Sequence, residues 1–553
     1  MDNYSIADQF SLLAKLMDIH GENSFKAKSY SAAAFAIEKL PVQLSETSAD
    51  KFASFKGIGD SAAKKIIELL NTGKLSALDE IIAKTPAGII EMLNIKGIGP
   101  KKISTIWKEM EIESIGELLY ACNENRLLLY KGFGEKTQNN IRESLEFYLK
   151  NQGSYLYAEI IAYATAIAGQ LQTGFANEEV SLTGAIRRQL EIINEIELVT
   201  TAAPAAISQF FTNNNFTATG AKENTLEFKG PENITIIIHC CTGAAYATVL
   251  FTTSAGTAFL DHCKSNAKWS AAATAPSETA IFNALGIAEL PPYLREQPWQ
   301  AALKEVPAVI QPGDIKGIIH SHSNWSDGAV SIEEMAQACI KDGYEYLVIS
   351  DHSKSAFYAN GLQEERIREQ HIHIDELNKK LAPFKIFKSI EADILNDGAL
   401  DYSDNILSTF DMVIASVHSN LKMPEEKAMA RLLAAIENKY TTILGHMTGR
   451  LLLSRKGYPV NHSKIIDACA ANKVVIELNA HPRRLDIDWR FIHEAVKKGV
   501  LISIDPDAHS TEGYKDCLYG VLAAQKAGLT AAQNLSSFSL QQFENFLTTY
   551  KKG

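Results

Sequence analysis

The C-terminal half of the sequence alternates short apolar runs with longer stretches of helical pattern. The apolar runs cover residues 318–319, 346–349, 386–390, 412–417, 442–444, 474–478 and 500–504. Strands that alternate with helices in this way form successive βα units. Because both faces of a parallel sheet are covered, its strands are apolar throughout rather than alternating. The pattern therefore predicts a parallel, barrel-like sheet.

Most of these predicted strands run directly into side chains that can bind metal ions. The candidates are His320, His322, Asp327, the pair Asp351-His352, Glu391, His418, His446, Asp507 and His509. Residues i and i+2 share one face of a strand, so His320 and His322 could hold the same ion. Catalytic groups of parallel barrels lie where the strands end. The sequence thus predicts a polynuclear metal site, and mixed imidazole and carboxylate ligands suit zinc, manganese or iron.

The first 150 residues contain a different motif in three copies. The copies are Lys56-Gly57-Ile58-Gly59, Lys96-Gly97-Ile98-Gly99 and Lys131-Gly132-Phe133-Gly134. A predicted helix follows each copy, over 61–70, 100–110 and 136–149. This is the helix-hairpin-helix pattern, in which glycine allows close approach and the helix start offers N–H groups to a phosphate. Contacts of this kind carry no sequence information, so we expect DNA or RNA of any sequence as the partner.

Composition and charge limit the possible classes of protein. The 553 residues suffice for several domains. The net charge of −11 argues against a broadly basic nucleic-acid binder, although residues 1–150 carry 19 Lys+Arg and 20 Asp+Glu. Seven cysteines without a C-x-x-C pair indicate neither a thiolate zinc site nor a disulfide framework. The sequence has no signal-like N-terminus and no membrane-length apolar run, which predicts a cytoplasmic protein. The oligomeric state stays open.

Two parts of the chain resemble known families. Residues 24–33 (SFKAKSYSAA) followed by the three hairpins resemble a family X DNA polymerase, and the C-terminal part resembles a PHP (polymerase and histidinol phosphatase) domain. Joined in this order, they are similar to the bacterial family X polymerases with an attached PHP nuclease. The resemblance covers nearly the whole chain. It implies a multidomain fold with helix-hairpin-helix modules, an α+β nucleotidyltransferase-like palm and thumb, and a distorted (β/α)7 TIM-like barrel.

The resemblance also implies domain boundaries and a ligand set. The domains would be a lyase-like helical domain (1–80), a fingers-like helical module (85–150), a palm and thumb (151–300) opening with a helix over 155–171, and the PHP domain (315–553). The implied ligands are His320, His322, Asp327, His352, Glu391, His418, His446, Asp507 and His509. The family binds up to three ions, typically zinc or manganese, and Glu391 would bridge them.

The middle of the chain departs from the polymerase pattern. The family motif is a glycine, a serine, two arginines and then Asp-x-Asp. Here the corresponding residues are Gly184, Ala185, Arg187, Arg188, Glu195 and Glu197. A third carboxylate should come from strand 234–239, which contains no acid. Two-metal phosphoryl transfer requires carboxylates that hold ions about 3.5–4 Å apart. We therefore expect polymerase activity to be lost, while the fold of the region persists.

Other basic residues have two possible roles each. Some family members form a Schiff base through a lysine at the position of Lys65, which requires a lowered pKa. Lys64 beside it could help to lower that pKa, but two adjacent lysines on a helix more often form a solvated, phosphate-facing pair. Arg450, Arg483 or Arg484 could clamp a phosphate, or form salt bridges instead.

These observations favour a DNA repair enzyme that hydrolyses phosphoesters. Its activity would be that of a 3′–5′ exonuclease, a 3′-phosphatase or an AP-endonuclease-like enzyme, with divalent ions activating water. The expected substrates are gapped, nicked or single-stranded DNA ends. A small-molecule phosphatase of histidinol-phosphatase type, a non-enzymatic DNA-binding scaffold and a gap-filling polymerase are the alternatives.

Overall fold

A computed structural model describes residues 1, 3–38, 40, 42–150 and 153–551. The chain forms two compact units, Met1–Leu149 and Lys150–Gly553. None of the helices within the described residues is both long enough and apolar enough to cross a membrane.

The first unit is entirely helical. Its α-helices are α1 (Asn3–His20), α2 (Ser24–Glu38), α3 (Asp60–Thr72), α4 (Ser76–Ala83), α5 (Ala87–Glu91), α6 (Pro100–Lys108), α7 (Ile115–Asn123) and α8 (Glu135–Lys150). The regions expected to be separate modules, 1–80 and 85–150, share one hydrophobic core. For example, Phe10 and Ile66 belong to the same cluster of buried side chains as Ile103 and Leu145.

The second unit begins with a region that contains a two-stranded sheet and a five-stranded mixed sheet. Its elements are β1 (Tyr155–Leu156), α9 (Tyr157–Gly174), β2 (Val180–Thr183), α10 (Gly184–Arg187), β3 (Ile192–Ile193), β4 (Glu195–Thr200), α11 (Pro204–Asn213), β5 (Thr217–Lys222), β6 (Thr225–Lys229) and β7 (Thr235–Cys240). The strand order is β2-β4-β7-β6-β5, and β4 and β7 are parallel. The helix predicted over 155–171 begins only at Tyr157, because Tyr155 and Leu156 pair with β3.

A small helical region and an irregular segment follow this sheet. The helices are α12 (Gly243–Thr253), α13 (Thr257–Lys264), α14 (Trp269–Ala272) and α15 (Glu278–Leu285). The proline-rich segment after them packs onto the barrel that comes next. Gln300 Nε2 donates to the carbonyl of Lys526, and Ile310 N donates to the carbonyl of Leu529, each at 2.8 Å.

The remaining residues form a seven-stranded parallel sheet with helices between its strands. Its elements are β8 (Gly317–Ser321), α16 (Ile332–Asp342), β9 (Tyr346–Ile349), α17 (Glu364–Leu381), β10 (Lys385–Asp393), α18 (Asp404–Leu407), β11 (Met412–Ser416), α19 (Glu425–Ile436), β12 (Ile443–Leu444), α20 (His462–Asn472), β13 (Val475–Asn479), α21 (Trp489–Lys497), β14 (Ile502–Asp505), α22 (Cys517–Lys526) and α23 (Leu540–Lys551). The strands follow one another in chain order. Ser321 and Ala508 form a parallel bridge between the first strand and the loop after the last, so the barrel is nearly closed.

The closure point has unusual backbone geometry. Pairing of β8 with β9 is irregular between Ile318 and Ser321. His320 has φ +57° and Asp507 has φ +53°, left-handed values that are uncommon outside glycine. We expected His320 and His322 to share one face of a regular strand, but the strand is irregular at His320. A bulge turns His320 instead, and bulges commonly redirect side chains next to active sites.

Candidate functional site

Glu391, at the end of the long central strand β10, is surrounded by imidazoles. Its Oε1 lies 3.0 Å from His446 Nε2, 3.1 Å from His418 Nε2 and 3.2 Å from His320 Nε2. Its Oε2 lies 2.9 Å from His352 Nδ1. All five side chains are almost completely buried. One carboxylate thus contacts histidines from four different strand ends.

The other sequence-predicted ligands extend this cluster. His322 Nε2 lies 3.0 Å from Asp507 Oδ1. Asp327 Oδ1 lies 3.4 Å from His509 Nε2, and its Oδ2 lies 3.6 Å from His352 Nε2. The barrel therefore brings together all nine side chains, although the sequence spreads them over nearly two hundred residues.

Three groups within this cluster have ligand atoms within 4.8 Å of one another. The groups are His322, Asp327, His352 and His509; His320, His322 and Glu391; and His352, Glu391 and His418. Shared members place the groups side by side. Each group offers the mixed nitrogen and oxygen atoms that zinc and manganese accept.

Several polar atoms of the cluster support this interpretation. His322 Nδ1, Asp327 Oδ2 and His352 Nε2 are buried and have no hydrogen-bond partner among the described residues. Burying an unpaired polar atom is costly, so native proteins rarely do it without compensation. Divalent cations would satisfy these atoms, and the donor set fits them.

Burial and neighbouring charged groups shift the pKa values of the cluster in opposite directions. Burial alone would lower the pKa of His418, but Glu391 and Asp393 raise it to about 10. Burial likewise opposes the charged form of Glu391, yet the surrounding imidazoles hold its pKa well below the usual value. For His322, burial and the neighbouring His509 and His352 lower the pKa to about 3. Cations that replace these protons would bind more tightly as the pH rises.

Behind the cluster lie acids that sequence reasoning had missed. Glu477 Oε1 accepts a hydrogen bond from His320 Nδ1, and Glu477 Oε2 accepts one from the His446 backbone N–H at 2.6 Å. Asp393 Oδ1 contacts His418 Nδ1 at 2.6 Å. Metal-binding histidines commonly donate their second N–H to such a carboxylate, which fixes the ring. The signal in the sequence was an acid inside an otherwise apolar strand.

Asp351 has a structural role beside the cluster. Its carboxylate accepts from Ser323 N and Oγ at 2.8 and 2.7 Å, from Ser326 Oγ at 2.5 Å and from Gln370 Nε2 at 2.6 Å. With these bonds satisfied, Asp351 supports the loop after β8. Of the pair Asp351-His352, only His352 faces the other candidate ligands.

The three arginines proposed as phosphate clamps have different environments. Arg450 donates to Asp488 and to the backbone carbonyls of Arg484 and Leu485. Its donors are therefore directed to protein atoms, which corresponds to the salt-bridge role that the sequence left open for Arg450. Arg483 forms an ion pair with Glu159 at 2.9 Å. Arg484 alone reaches the cluster, with Nε 3.7 Å from Asp507 Oδ2.

The residues that match the polymerase motif form pairs within the protein. Arg187 Nη2 lies 2.6 Å from Glu278 Oε2, and Arg188 Nε lies 2.7 Å from Glu296 Oε1. These arginines would otherwise be available to nucleotide phosphates.

The two glutamates of the motif project from β4. Glu197 Oε2 lies 2.9 Å from Nε2 of His239, which comes from the neighbouring strand β7. Burial and the charge of Glu197 raise the pKa of Glu195. Gly184 packs so closely on Glu197 that a Cβ there would lie 2.0 Å from Oε1. The position expected to supply a third acid thus supplies an imidazole.

The three hairpins of the first unit have the same backbone geometry. Gly57, Gly97 and Gly132 have φ values of +96°, +91° and +96°, a region that favours glycine. A Cβ built on the second glycine of each hairpin, Gly59 or Gly99 for example, meets no atom within 4 Å, and Gly134 is equally open. Neither strain nor packing explains these second glycines. They leave open space at the start of α3, α6 and α8.

The side chains around each hairpin leave this open space accessible from solvent. The lysine before each hairpin, Lys56, Lys96 or Lys131, is exposed. The residue between the glycines, Ile58 in the first hairpin, is buried in the core. Lys65 on α3 lies with its Nζ 5.9 Å from the centroid of the Tyr30 ring.

Comparison with known proteins follows the same divisions. A helix-hairpin-helix domain model matches residues 1–75, a SAM-like helix-hairpin-helix tandem model matches 89–146, and a PHP domain model matches 319–481. Asp507 and His509 lie beyond the part that the PHP model matches.

Two kinds of relative are similar to this chain. Probable phosphatases match only the barrel: one from Thermoanaerobacter is 28% identical over 34% of this chain and 77% of its own length, and YcdX of Escherichia coli is 27% identical over 36% and 82%. The DNA polymerase/3'-5' exonuclease PolX of Bacillus subtilis is 33% identical over 97% of this chain and 97% of its own length. The chain therefore belongs to the PolX family, the family X DNA polymerases with N-terminal helix-hairpin-helix domains and a C-terminal PHP domain.

Proposed function

We propose that this protein hydrolyses DNA phosphoesters at the barrel and no longer synthesises DNA. The observation that carries the proposal is a buried cluster of nine metal-competent side chains, in which five histidines contact Glu391 or Asp507 and Asp327 contacts His352 and His509. Up to three zinc, manganese or iron ions held there would supply Lewis acidity for water activation and for neutralising charge at phosphorus. The nine residues His320, His322, Asp327, His352, Glu391, His418, His446, Asp507 and His509 are the proposed ligands.

Arg484 is the proposed phosphate-binding residue. It is 4% exposed and lies beside Asp507, so its charge acts in a poorly solvated environment. A guanidinium can donate two parallel hydrogen bonds to a phosphate. Arg484 would therefore orient a phosphoester against the metal cluster.

The hairpins are the proposed DNA-binding elements. The open space above Gly59, Gly99 and Gly134 lets a phosphate approach the N-termini of three helices. Exposed lysines beside these turns add charge attraction that does not depend on sequence. The proposed substrates are gapped or nicked duplexes and single-stranded ends. In this assignment residues 1–80 and 85–150 keep the lyase-like and fingers-like roles, 151–300 is a degenerate palm and thumb, and 315–553 is the hydrolase.

We propose the loss of polymerase activity because the charged residues of the polymerase motif pair with other side chains of the protein. Glu278 and Glu296 neutralise the two arginines that would bind nucleotide phosphates. His239 bonds to Glu197, which would have to coordinate an ion. The relative from Bacillus subtilis carries both activities in its name. A gap-filling polymerase is therefore the first alternative.

One comparison tests these proposals together. End-labelled single-stranded, gapped and abasic-site oligonucleotides are incubated with Mn²⁺, with and without dNTPs, for the parent and for His320→Ala/His322→Ala. We expect shortening of the labelled strand by the parent, no extension, and no shortening by the double variant. Primer extension by the parent would refute the loss of polymerase activity, and its sensitivity to Glu197→Gln would place it in the palm.

The second alternative is a small-molecule phosphatase. Relatives that match only the barrel are named probable phosphatases, which favours phosphate monoesters as substrates of such barrels. A parent protein that hydrolyses small phosphate esters but leaves every oligonucleotide intact would favour this alternative.

In the same assay, a borohydride-trapped complex with abasic DNA that disappears in Lys65→Ala would identify lyase chemistry at Lys65.

A further inference from the structure

Aromatic side chains form a rim beside the metal-competent cluster. Phe357 is 78% exposed, and its ring centroid lies 5.9 Å from that of Tyr358. The Tyr358 ring lies 6.4 Å from the imidazole of His352. Trp325, half-buried, belongs to the loop that carries Asp327. Both loops that bear these aromatic residues thus also bear candidate metal ligands.

The loop that presents Phe357 is held firmly in place. Gly361 lies so close to Ser353 that a Cβ on it would be 1.9 Å from the Ser353 carbonyl oxygen. The Asn360 side-chain amide donates to the carbonyl of Trp325 at 3.2 Å, which ties this loop to the other rim loop. Phe357 therefore stays exposed on an ordered support. A preorganised aromatic ring loses little conformational freedom when a ligand covers it.

We propose that Phe357, supported by Tyr358, stacks on the nucleobase next to the phosphate held at the metal cluster. This inference rests on the proposed function and narrows its substrate class to unpaired, single-stranded ends. Every base has a π face, so stacking on an aromatic side chain tolerates any sequence. A base inside a duplex is already stacked on its neighbours, whereas a frayed or single-stranded end has a free face. Small phosphate esters lack a base and would gain nothing from Phe357.

Steady-state hydrolysis of a single-stranded oligonucleotide with Mn²⁺ tests the proposal. Stacking of one base on an aromatic residue typically corresponds to a factor of roughly 5–150 on alanine substitution. We expect Phe357→Ala to raise KM by about tenfold or more and to leave kcat near the parent value. The stack acts equally on bound substrate and transition state, which gives this split. Phe357→Trp should restore the parent KM.

A matched variant and a matched substrate complete the design. Ile340→Ala removes another exposed apolar side chain from the barrel, 40% exposed and near the end of α16. Helices of βα units end on the side opposite the strand C-termini, so this variant should behave as the parent. The matched substrate is the same oligonucleotide with an abasic residue at its cleaved end. Parent and Phe357→Ala should hydrolyse it with the same, raised KM.

The outcomes separate this inference from the proposed function. Equal KM values for parent and Phe357→Ala on the normal oligonucleotide would overturn the stacking proposal and leave the nuclease proposal intact. An equal defect in Phe357→Trp, or a loss of activity toward a small ester such as bis(p-nitrophenyl) phosphate, would show a disturbed site and also overturn it. A parent protein that hydrolyses no DNA at all would overturn both proposals.

Discussion

The proposed palm and thumb region (the palm) and the barrel both gather acids and bases, but they differ in how the charges are balanced. In the palm, Arg187 and Arg188 face Glu278 and Glu296, so each cation has an anion from the protein. In the barrel, buried polar atoms such as His322 Nδ1 have no hydrogen-bond partner among the residues that the structure describes. Similar residue types thus form a cluster in the palm whose charges pair with each other, and a cluster in the barrel whose polar atoms need added cations as partners.

This difference explains why residue type alone is a poor guide to a metal site. A buried ion pair with good geometry stabilises a fold or is neutral to it, and it leaves no capacity for a ligand. The barrel cluster instead contains buried polar atoms that no other described residue satisfies.

The largest effect is expected for Glu391→Gln. This change removes the carboxylate that contacts four histidines, and we expect on the order of 10²–10³-fold slower DNA hydrolysis together with a lower content of bound metal. Glu197→Gln in the palm changes charge in the same way and should leave hydrolysis unchanged. Rates on end-labelled single strands and elemental analysis of both variants provide the measurement. A nuclease defect in the palm variant would contradict the proposed separation of roles.

A smaller effect is expected for Glu477→Gln. Glu477 holds His320 and accepts from the backbone of His446, so the variant should weaken metal binding or activity by about 10–100-fold. Asp505→Asn is the matched control, since burial and the charge of Glu477 raise the pKa of Asp505 well above its usual value. The raised pKa favours the neutral carboxyl, which an amide replaces without a change of charge. Metal titration calorimetry that gives equal affinities for Glu477→Gln and the parent would exclude a positioning role.

The local parts of the site could be predicted from the sequence. Strand β9 coincides with the predicted run 346–349, and the helix predicted over 100–110 begins at Pro100 as observed. Candidate ligands at strand ends follow from the same local pattern, because the topology of a βα barrel places those ends together. Their exact roles stay a proposal, but their proximity required only correct strand assignments.

The non-local parts could not be predicted. Glu477 and His320 are 157 residues apart, and nothing local pairs them. The bulge that redirects His320 interrupts the pairing of β8 with β9, next to the bridge between Ser321 and Ala508 that nearly closes the barrel. Arg450 likewise follows a strand end, as a phosphate-binding residue would, yet Asp488 and two backbone carbonyls occupy its donors. Side-chain partners of this kind are decided by tertiary packing.

In the palm, Glu278→Gln should reduce stability without affecting hydrolysis. Glu278 pairs with Arg187 and with Arg295, and Arg295 is 3% exposed and packs against Phe282 with its guanidinium 4.9 Å from the ring centroid. Removing the carboxylate leaves a buried cation without its partner. Because Glu278 is partly solvated, we expect a loss of about 1–2 kcal/mol, below the value for a fully buried pair.

Thermal unfolding of Glu278→Gln beside Glu223→Gln checks this expectation. Glu223 is an exposed turn residue of the same region, so its substitution changes net charge equally without removing a buried partner. Similar unfolding temperatures for both variants would mean that the palm pairs are not structurally important.

The smallest expected effect is the change in stability with pH. It has opposite signs in the barrel and in the palm. In chelator-treated protein, Glu391 and Asp393 outweigh burial and raise the pKa of His418 to about 10. An unfolded histidine titrates near 6.5. The folded state therefore holds this proton more tightly, and the resulting stability is complete below pH 6.5 and is lost as the pH rises toward 10. Between pH 7 and 8 the loss should be about 1 kcal/mol.

The palm pair should weaken at the other end of the pH scale. Burial alone would raise the pKa of Glu278, but hydrogen bonds from Arg187 and the charge of Arg295 hold it below the usual value. This contribution is complete above the unfolded pKa of about 4.3 and is lost as the pH falls through the folded pKa. Zn²⁺ or Mn²⁺ should flatten the alkaline decline only, because a bound ion replaces the proton on the barrel histidines. Urea unfolding measured across pH, with and without the ion, checks this expectation. An equal effect of the ion on the alkaline and the acidic decline in stability would contradict it.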